Sequence, residues 1–297
     1  MTRTEQSTVG RARAATERAL RDAGIGEWRE DARRLTAHAI GVEPSRLSVE
    51  AARPLLLDEA ARLRAYTDQR RAGRTVGRIV GVRAFHDLVL EVSDDVLEPR
   101  DDTAALVELA LPFLRRACDR GDRASVLDVG VGSGTVALAL LCAEPRARGA
   151  GTDVNALALA LAARNAGRLG LQERFAILAE PPLGPPDRGH YDLIVSNPPY
   201  IPSDDIAALP AEVRSDPREA LDGGADGLDF YRMLAREVPG RLVPDGALAF
   251  EIGAGQASPV RAIMAVAGWH PIGTMRDLAG HERALAFARK TPGRGKP

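Results

Sequence analysis

Apolar residues recur at helical spacing through roughly the first quarter of the chain, and the period then changes. Val9 to Ala23 carries an apolar stripe that ends before Gly24. Trp28 to Ile40 places Ala32, Leu35, Thr36, Ala39 and Ile40 on one face and stops at Gly41, the kind of residue that ends a helix. Leu55 to Ala72 reads as a third helix, with Arg62, Arg64, Arg70 and Arg71 on a solvated outer face. From Arg78 to Val92 the pattern tends to alternation around His86-Asp87, which predicts a β-hairpin. Beyond Asp101 helical and strand-like segments take turns. Strands are expected at 125–129, 148–152, 174–178, 193–196 and 247–252, with a closing pair near 272–276 and 283–288. That alternation predicts an α/β fold with a doubly wound, mostly parallel sheet. The expected organisation is a helical domain over 1–77, a hairpin connector over 78–100, a larger domain over 101–290 and a disordered tail over 291–297. The Pro-rich stretch 180–189 reads as a loop.

Composition narrows the choice of chemistry. The chain has 297 residues, 45% of them hydrophobic, enough for one large domain and a small one. Its formal net charge is −1, so no basic field points to nonspecific nucleic-acid binding. Lys290 and Lys296 are the only lysines; the other basic residues are arginines. Cys118 and Cys142 read as buried free thiols of a reducing cytosol, and no metal-ligand spacing appears. Residues 1–13 lack the apolar core of a signal peptide, and the longest uncharged stretch, 129–143, is too short to span a bilayer. The chain is therefore expected to be cytoplasmic with no membrane contact, and a monomer is the expected state.

Three segments carry chemistry, each at the end of an expected strand. The first is Val126-Leu127-Asp128-Val129-Gly130-Val131-Gly132-Ser133-Gly134-Thr135. Glycines at 130, 132 and 134 permit a tight turn and close approach of backbone to a ligand. The spacing is Gly-x-Gly-x-Gly, which is not the dinucleotide fingerprint. The second is Gly151-Thr152-Asp153, which puts a carboxylate 25 residues after Asp128, where it can accept from ribose hydroxyls. Asp153 can equally be the N-cap of the next helix. The third is Asn197-Pro198-Pro199-Tyr200. The Asn197 side-chain oxygen and the Pro198 carbonyl are acceptors, neither proline has an N–H, and Tyr200 offers a flat face for stacking. A planar nitrogen that shares its lone pair with a π system is a poor nucleophile, and such a turn can hold its N–H groups in line with a methyl donor. Together the three point to an S-adenosylmethionine site. Of the five histidines only His190, seven residues before Asn197, is near the site in sequence, and no dedicated general base is visible.

These residues carry a resemblance. Segments 126–143, 153–171 and 191–201 resemble the HemK/PrmC methyltransferases, and the likeness extends from about Asp31 to Phe287. Asp216-Pro217-Arg218-Glu219-Ala220-Leu221-Asp222-Gly223-Gly224-Ala225-Asp226-Gly227-Leu228-Asp229 is similar to a family signature that usually begins with Glu-Pro. Glu251-Ile252-Gly253 with Gln256, and Asp277-Leu278-Ala279-Gly280-His281-Glu282-Arg283, are similar to two others. The resemblance implies a Rossmann-like S-adenosylmethionine-dependent methyltransferase sheet, with a small N-terminal helical domain joined by a β-hairpin. It implies methylation of the glutamine side-chain amide in the Gly-Gly-Gln loop of peptide chain release factors, with the helical domain helping to hold that protein substrate.

By the same resemblance Asp128, Gly130, Gly132, Gly134, Asp153, Arg100, Thr103 and Asn197 face the donor, and Glu180 stands near the adenine. Asn197, Pro198, Pro199 and Tyr200 face the acceptor. Three departures stand out. The family's Pro-Arg-Pro-Glu-Thr-Glu is Pro99-Arg100-Asp101-Asp102-Thr103-Ala104 here, its acidic loop is Ala179-Glu180-Pro181-Pro182, and Asp216 replaces a glutamate. They keep open a paralogue that methylates a planar amide or guanidinium nitrogen of a small molecule or another protein. A noncatalytic S-adenosylmethionine binder is disfavoured by the intact turn.

Overall fold

The structure, a computed structural model, describes residues 7–179, 182–184, 190–277 and 279–289. Two compact units result. Residues up to Val82 together with Ala211–Ser215 form one, and Arg83–Pro210 with the chain from Asp216 onward form the other.

The first unit is helical. Helices α1 (Val9–Asp22), α2 (Trp28–Ile40), α3 (Leu47–Glu50), α4 (Leu57–Arg71) and α5 (Val76–Val80) follow in order. The Thr8 hydroxyl accepts from Arg11 N at the start of α1, and Gly41 closes α2 in the left-handed conformation with φ 71°. The stripe expected on α2 is buried in full, and Leu20, Ala32, Leu35, Ala39, Leu63 and Val76 form one core.

Two expectations fail here. Arg70 is not on a solvated face. It is buried, with Nε 2.6 Å from Asp31 and Nη1 2.6 Å from Glu212 of the inserted segment. Two carboxylates offset the desolvation of the guanidinium, which sequence spacing alone could not reveal. Nor does the hairpin begin at Arg78. Residues 76–80 are helical because Thr75 caps them and Gly81, with φ 82°, ends them.

The second unit opens with that hairpin, β1 (Val82–Phe85) and β2 (Leu88–Glu91), turning at His86 and Asp87. Then come α6 (Ala104–Gly121), β3 (Ala124–Val129), α7 (Thr135–Ala143), β4 (Ala147–Thr152), α8 (Ala156–Arg168), β5 (Phe175–Leu178), β6 (Tyr191–Ser196), α9 (Ala211–Arg214, which packs with the first unit), α10 (Asp229–Glu237), β7 (Leu242–Glu251), α11 (Ala257–Val266), β8 (Trp269–Arg276) and β9 (Glu282–Arg289).

The strands make one seven-stranded sheet in the order β5-β4-β3-β6-β7-β9-β8. The first five are parallel neighbours, whereas β9 runs antiparallel to both β7 and β8. Alternate residues face opposite layers, as the pleat demands. Val126, Leu193, Val195, Ala247 and Ala249 pack with α6, α7 and α8, while Leu127, Ile194, Leu248 and Phe250 pack with α10 and α11.

A sheet buried on both faces holds its ligands beyond the carboxyl ends of its strands. Asp128, Asp153 and Asn197 stand at three such ends, on neighbouring strands. Both cysteines are free; Cys118 is buried, but Cys142 is exposed at the end of α7, contrary to expectation. Among the described residues no helix is long and apolar enough to cross a membrane.

Candidate active site

The glycine loop after β3 is shaped by alternate left-handed residues, with φ of 75°, 54° and 88° at Gly130, Gly132 and Gly134. Gly130 N and Val131 N both donate to the Thr152 carbonyl at 2.9 Å. Gly132 N donates to Asp153 Oδ2 at 2.9 Å, and Gly134 N to the Val131 carbonyl at 2.8 Å. These amides are spent inside the fold and form no anion cradle of the phosphate-binding kind.

Beside the loop lies an open cleft. Arg100, Thr103, Asp128, Gly130, Gly132, Asp153, Asn197 and Pro199 all line it. Gly134, Pro198 and Tyr200 do not. Gly134 begins α7, where an added Cβ would lie 2.6 Å from Leu138 Cδ1. Glu180 lies outside the described residues. Sequence reasoning had assigned no role to Val96, Glu98, Pro182, Glu219 or Phe230, which also line the cleft. Glu219 and Pro182 each sit inside a segment that resembles the family, which is the hint the sequence offers for them.

The cleft has acidic walls. Asp128 is buried, its Oδ2 accepts from Ala137 N at 3.0 Å, and its Oδ1 has no partner. Burial first, and then the nearby Asp153 charge, push its carboxyl up to about 7, against the pull of the Ala137 N–H. Asp153 accepts from Gly132 N and from Asn155 N, which leaves one lone pair on each oxygen. The cap of α8 is Asn155, which accepts from Leu157 N at 2.9 Å, so Asp153 is not the cap. Arg100, the cation on the rim, is paired with the buried Asp216. Such a set of acceptors suits a cation with hydroxyl groups. S-adenosylmethionine is one, with an ammonium for the orphaned Asp128 oxygen and ribose hydroxyls for Asp153, so the residues fit it.

Asn197 follows β6. Its Nδ2 donates to Thr103 Oγ1 at 3.2 Å, across 94 positions of sequence. Its Oδ1 and the Pro198 carbonyl accept no hydrogen bond from the described residues. The turn is held from behind. Ile201 N donates to the Leu221 carbonyl at 3.0 Å and Gly223 N to the Ile201 carbonyl at 2.8 Å. His190 is exposed at the opposite end of β6, six strand residues or about 20 Å from Asn197, and is no candidate base.

Comparison with known proteins decides the family. The family model described as "Methyltransferase small domain" matches residues 107–214, and the "PrmC N-terminal domain" model matches residues 11–81. The "Release factor glutamine methyltransferase" of Rhodospirillum rubrum is 45% identical over 275 residues, which is 92% of this chain and 83% of that protein. That of Agrobacterium fabrum is 41% identical over 284 residues, 95% and 98% of the two chains. The chain belongs to the release factor glutamine methyltransferase family. A solved structure, the hMettl16 catalytic domain in complex with MAT2A 3'UTR hairpin 1, shares the fold with TM-score 0.53 at 15% identity, covering 79% of this chain and 81% of that one.

Seen as a release factor glutamine methyltransferase family member, the chain gives its signature segments a mechanical purpose. Asp216 accepts from Glu98 N at 3.4 Å and pairs with Arg100, tying down the segment that leads to Thr103. Gly223 and Gly227 lie so close to the turn that an added Cβ would meet Tyr200 Cα at 2.8 Å and the Tyr200 carbonyl at 2.4 Å respectively. Gln256 Nε2 donates to that same carbonyl at 2.8 Å. Tyr200 itself is half-buried, with its hydroxyl turned to Glu251 Oε1 at 3.4 Å. Arg283 is held by Asp277 at 2.8 Å and reaches the Ile252 carbonyl at 3.3 Å.

Proposed function

We propose that this chain transfers a methyl group from S-adenosylmethionine to the side-chain amide nitrogen of a glutamine, in the Gly-Gly-Gln loop of a peptide chain release factor. One observation carries the reading: among the described residues, neither Asn197 Oδ1 nor the Pro198 carbonyl oxygen accepts a hydrogen bond. A primary amide carries two N–H donors on a single planar nitrogen, and these two oxygens can accept one each. The names of the relatives support the choice of glutamine and of a release factor.

S-adenosylmethionine supplies an electrophilic methyl on a sulfonium. Asp128 Oδ1 would hold its ammonium, Asp153 its ribose, and Arg100 and Thr103 the donor-side rim. Asn197 and Pro198 orient the acceptor nitrogen and favour the charge that develops on its N–H groups as the N–C bond would form and the S–C bond break. The donor would leave as S-adenosylhomocysteine, and one amide proton would pass to solvent or a transient acceptor. The turn is fixed beforehand by Thr103, Leu221, Gly223 and Gln256, so little reorganisation is required at the moment of reaction. Tyr200 anchors the turn through its hydroxyl and carbonyl. The helical unit is the candidate for gripping the protein substrate, and a cytoplasmic monomer is the expected working form. The departures at Asp101, Asp102 and Ala104 leave the Thr103 hold on Asn197 in place.

The test is single-turnover transfer to a release factor at saturating donor. Asn197→Ala is expected to slow it by about 10²–10³ while donor affinity is kept, the usual cost of losing one preorganised group. Near-normal turnover of a folded Asn197→Ala protein would remove the turn from the reaction.

A further inference from the structure

The cleft carries a carboxylate that neither the fold nor the mechanism above uses. Glu219 lies on the short 3-10 turn Arg218–Ala220 and lines the cleft together with Pro217 and Ala220. Its side chain is exposed, and among the described residues it has no hydrogen bond or ion pair.

The backbone that carries Glu219 is fixed at both ends. On one side Asp216 accepts from Glu98 N at 3.4 Å and pairs with Arg100. On the other, the Leu221 carbonyl accepts from Ile201 N at 3.0 Å, and Ile201 and Asp222 form a parallel bridge. Between them Ala220 N donates to the Pro217 carbonyl and Leu221 N to the Arg218 carbonyl, each at 3.0 Å. The segment therefore runs on beside the chain that leaves the Asn197–Tyr200 turn, and Ala220 and Pro199 line the same cleft. A polypeptide whose glutamine reaches Asn197 brings its flanking residues to this wall.

The other charges of the cleft are accounted for. Asp128 and Asp153 face the donor in the reading above. Asp95 stands on the donor side, where its carbonyl accepts from Asn155 Nδ2 at 2.8 Å, two residues from Asp153. Glu98 is buried, 3.9 Å from Arg83. The cations along the segment of Glu219 are spent on other acids: Arg218 pairs with Asp222 at 2.9 Å, and Arg100 with Asp216. Glu219 thus gives the acceptor side a negative charge that no cation among the described residues meets.

We propose that Glu219 is a specificity-determining residue, which receives a lysine or arginine that flanks the acceptor glutamine of the protein substrate. The proposal rests on the reading of the turn given above. Ala220 and Phe230, which also line the cleft, suit the hydrocarbon stem of such a side chain while its charged head meets Glu219. The same carboxylate repels an acidic flank, so it selects among exposed glutamines. The contact lies away from the reacting atoms and is made equally before and during transfer. It therefore sets KM and leaves kcat unchanged.

The experiment measures KM and kcat for a release factor, and donor affinity by calorimetry, with the native enzyme, Glu219→Gln and Glu219→Lys. The factor is used native and with each lysine or arginine that flanks its Gly-Gly-Gln loop replaced singly by glutamine. Both enzyme variants should melt as the native protein does, because Glu219 is exposed and unbonded. Glu219→Gln is expected to raise KM about 5-fold, the worth of a well-placed exposed ion pair. Glu219→Lys should raise it by about 10-fold or more, since like charges then meet. In both, kcat and donor affinity are kept. Added salt should raise the native KM and change that of Glu219→Gln less. One factor replacement should raise the native KM by the same about 5-fold and add nothing on Glu219→Gln. An unchanged KM in Glu219→Lys, weakened donor binding in Glu219→Gln, or factor replacements that all act independently of Glu219→Gln would overturn the proposal alone. If the native enzyme transfers no methyl group to the native factor, the reading of the turn falls and the proposal with it.

Discussion

Replacing Asp128 with asparagine separates the cost of a buried carboxyl from its use. The side chain is 1% exposed, one oxygen is satisfied by Ala137 N and the other is bare. Burial holds the group protonated up to about 7, above an unfolded value of about 4. Since the folded state binds the proton more tightly, the group's contribution to stability is fully present below about pH 4 and is lost as pH rises through about 7. The gap corresponds to at most about 4 kcal/mol. Asp128→Asn keeps an acceptor for Ala137 N and cannot ionise. The ligand-free variant should therefore be more stable than the native protein at pH 8 and lose most of this slope.

Donor binding should move the other way. A cationic ammonium favours the ionised carboxyl, so native affinity should rise with pH up to about 7, with a proton released below it. Loss of a charge-assisted bond costs about 1.5–3 kcal/mol, or about 10- to 100-fold in affinity. Titration calorimetry in two buffers of different ionisation enthalpy, with thermal melts at pH 5 and pH 8, measures both effects. Native affinity in Asp128→Asn, with the same proton release, would refute the placement of the ammonium.

Other changes test the frame around the site. Gly223→Ala puts a methyl group 2.8 Å from Tyr200 Cα and 2.9 Å from the Pro199 carbonyl; it should cost about 1–3 kcal/mol in thermal unfolding and lower turnover more than donor affinity. Asn165 is fully buried and bonds Glu91 N at 2.7 Å, the Glu91 carbonyl at 3.0 Å and the Ser133 carbonyl at 2.9 Å. Asn165→Leu should cost about 3 kcal/mol in denaturant unfolding, because three main-chain groups lose a partner. Within the helical unit, Arg70→Ala should cost about 3–5 kcal/mol in the same measurement, since it strands the nearly buried Asp31 carboxylate.

The apolar stripes on α2 and the strand ends carrying Asp128, Asp153 and Asn197 were legible because each is written in consecutive residues. Helical period, pleat and turn chemistry are local properties. What failed was what depends on distant partners. Arg70 looked solvated because Asp31 and Glu212 are remote in sequence. The start of the hairpin at Arg78 was misread because Ile79 and Val80 suit a strand or a short helix equally, and the Thr75 and Gly81 caps decide between them. In the site, the turn was visible but its orientation was not. Asn197 is held by a threonine 94 positions away, and the carboxyl that receives the Tyr200 hydroxyl comes from the end of β7. Glu251-Ile252-Gly253 was visible as a signature, yet only folding shows what it touches. Cys142 was expected to be a buried free thiol; it is free but sits exposed on the last turn of α7.

The most direct test of the account is methyl transfer from labelled S-adenosylmethionine to two forms of one release factor, native and with the glutamine of its Gly-Gly-Gln loop replaced. The account predicts one methyl group on the native factor, localised to that glutamine by mass spectrometry, and none on the replaced factor. Equal labelling of both forms, or none of the native one by a folded, donor-binding enzyme, would contradict it.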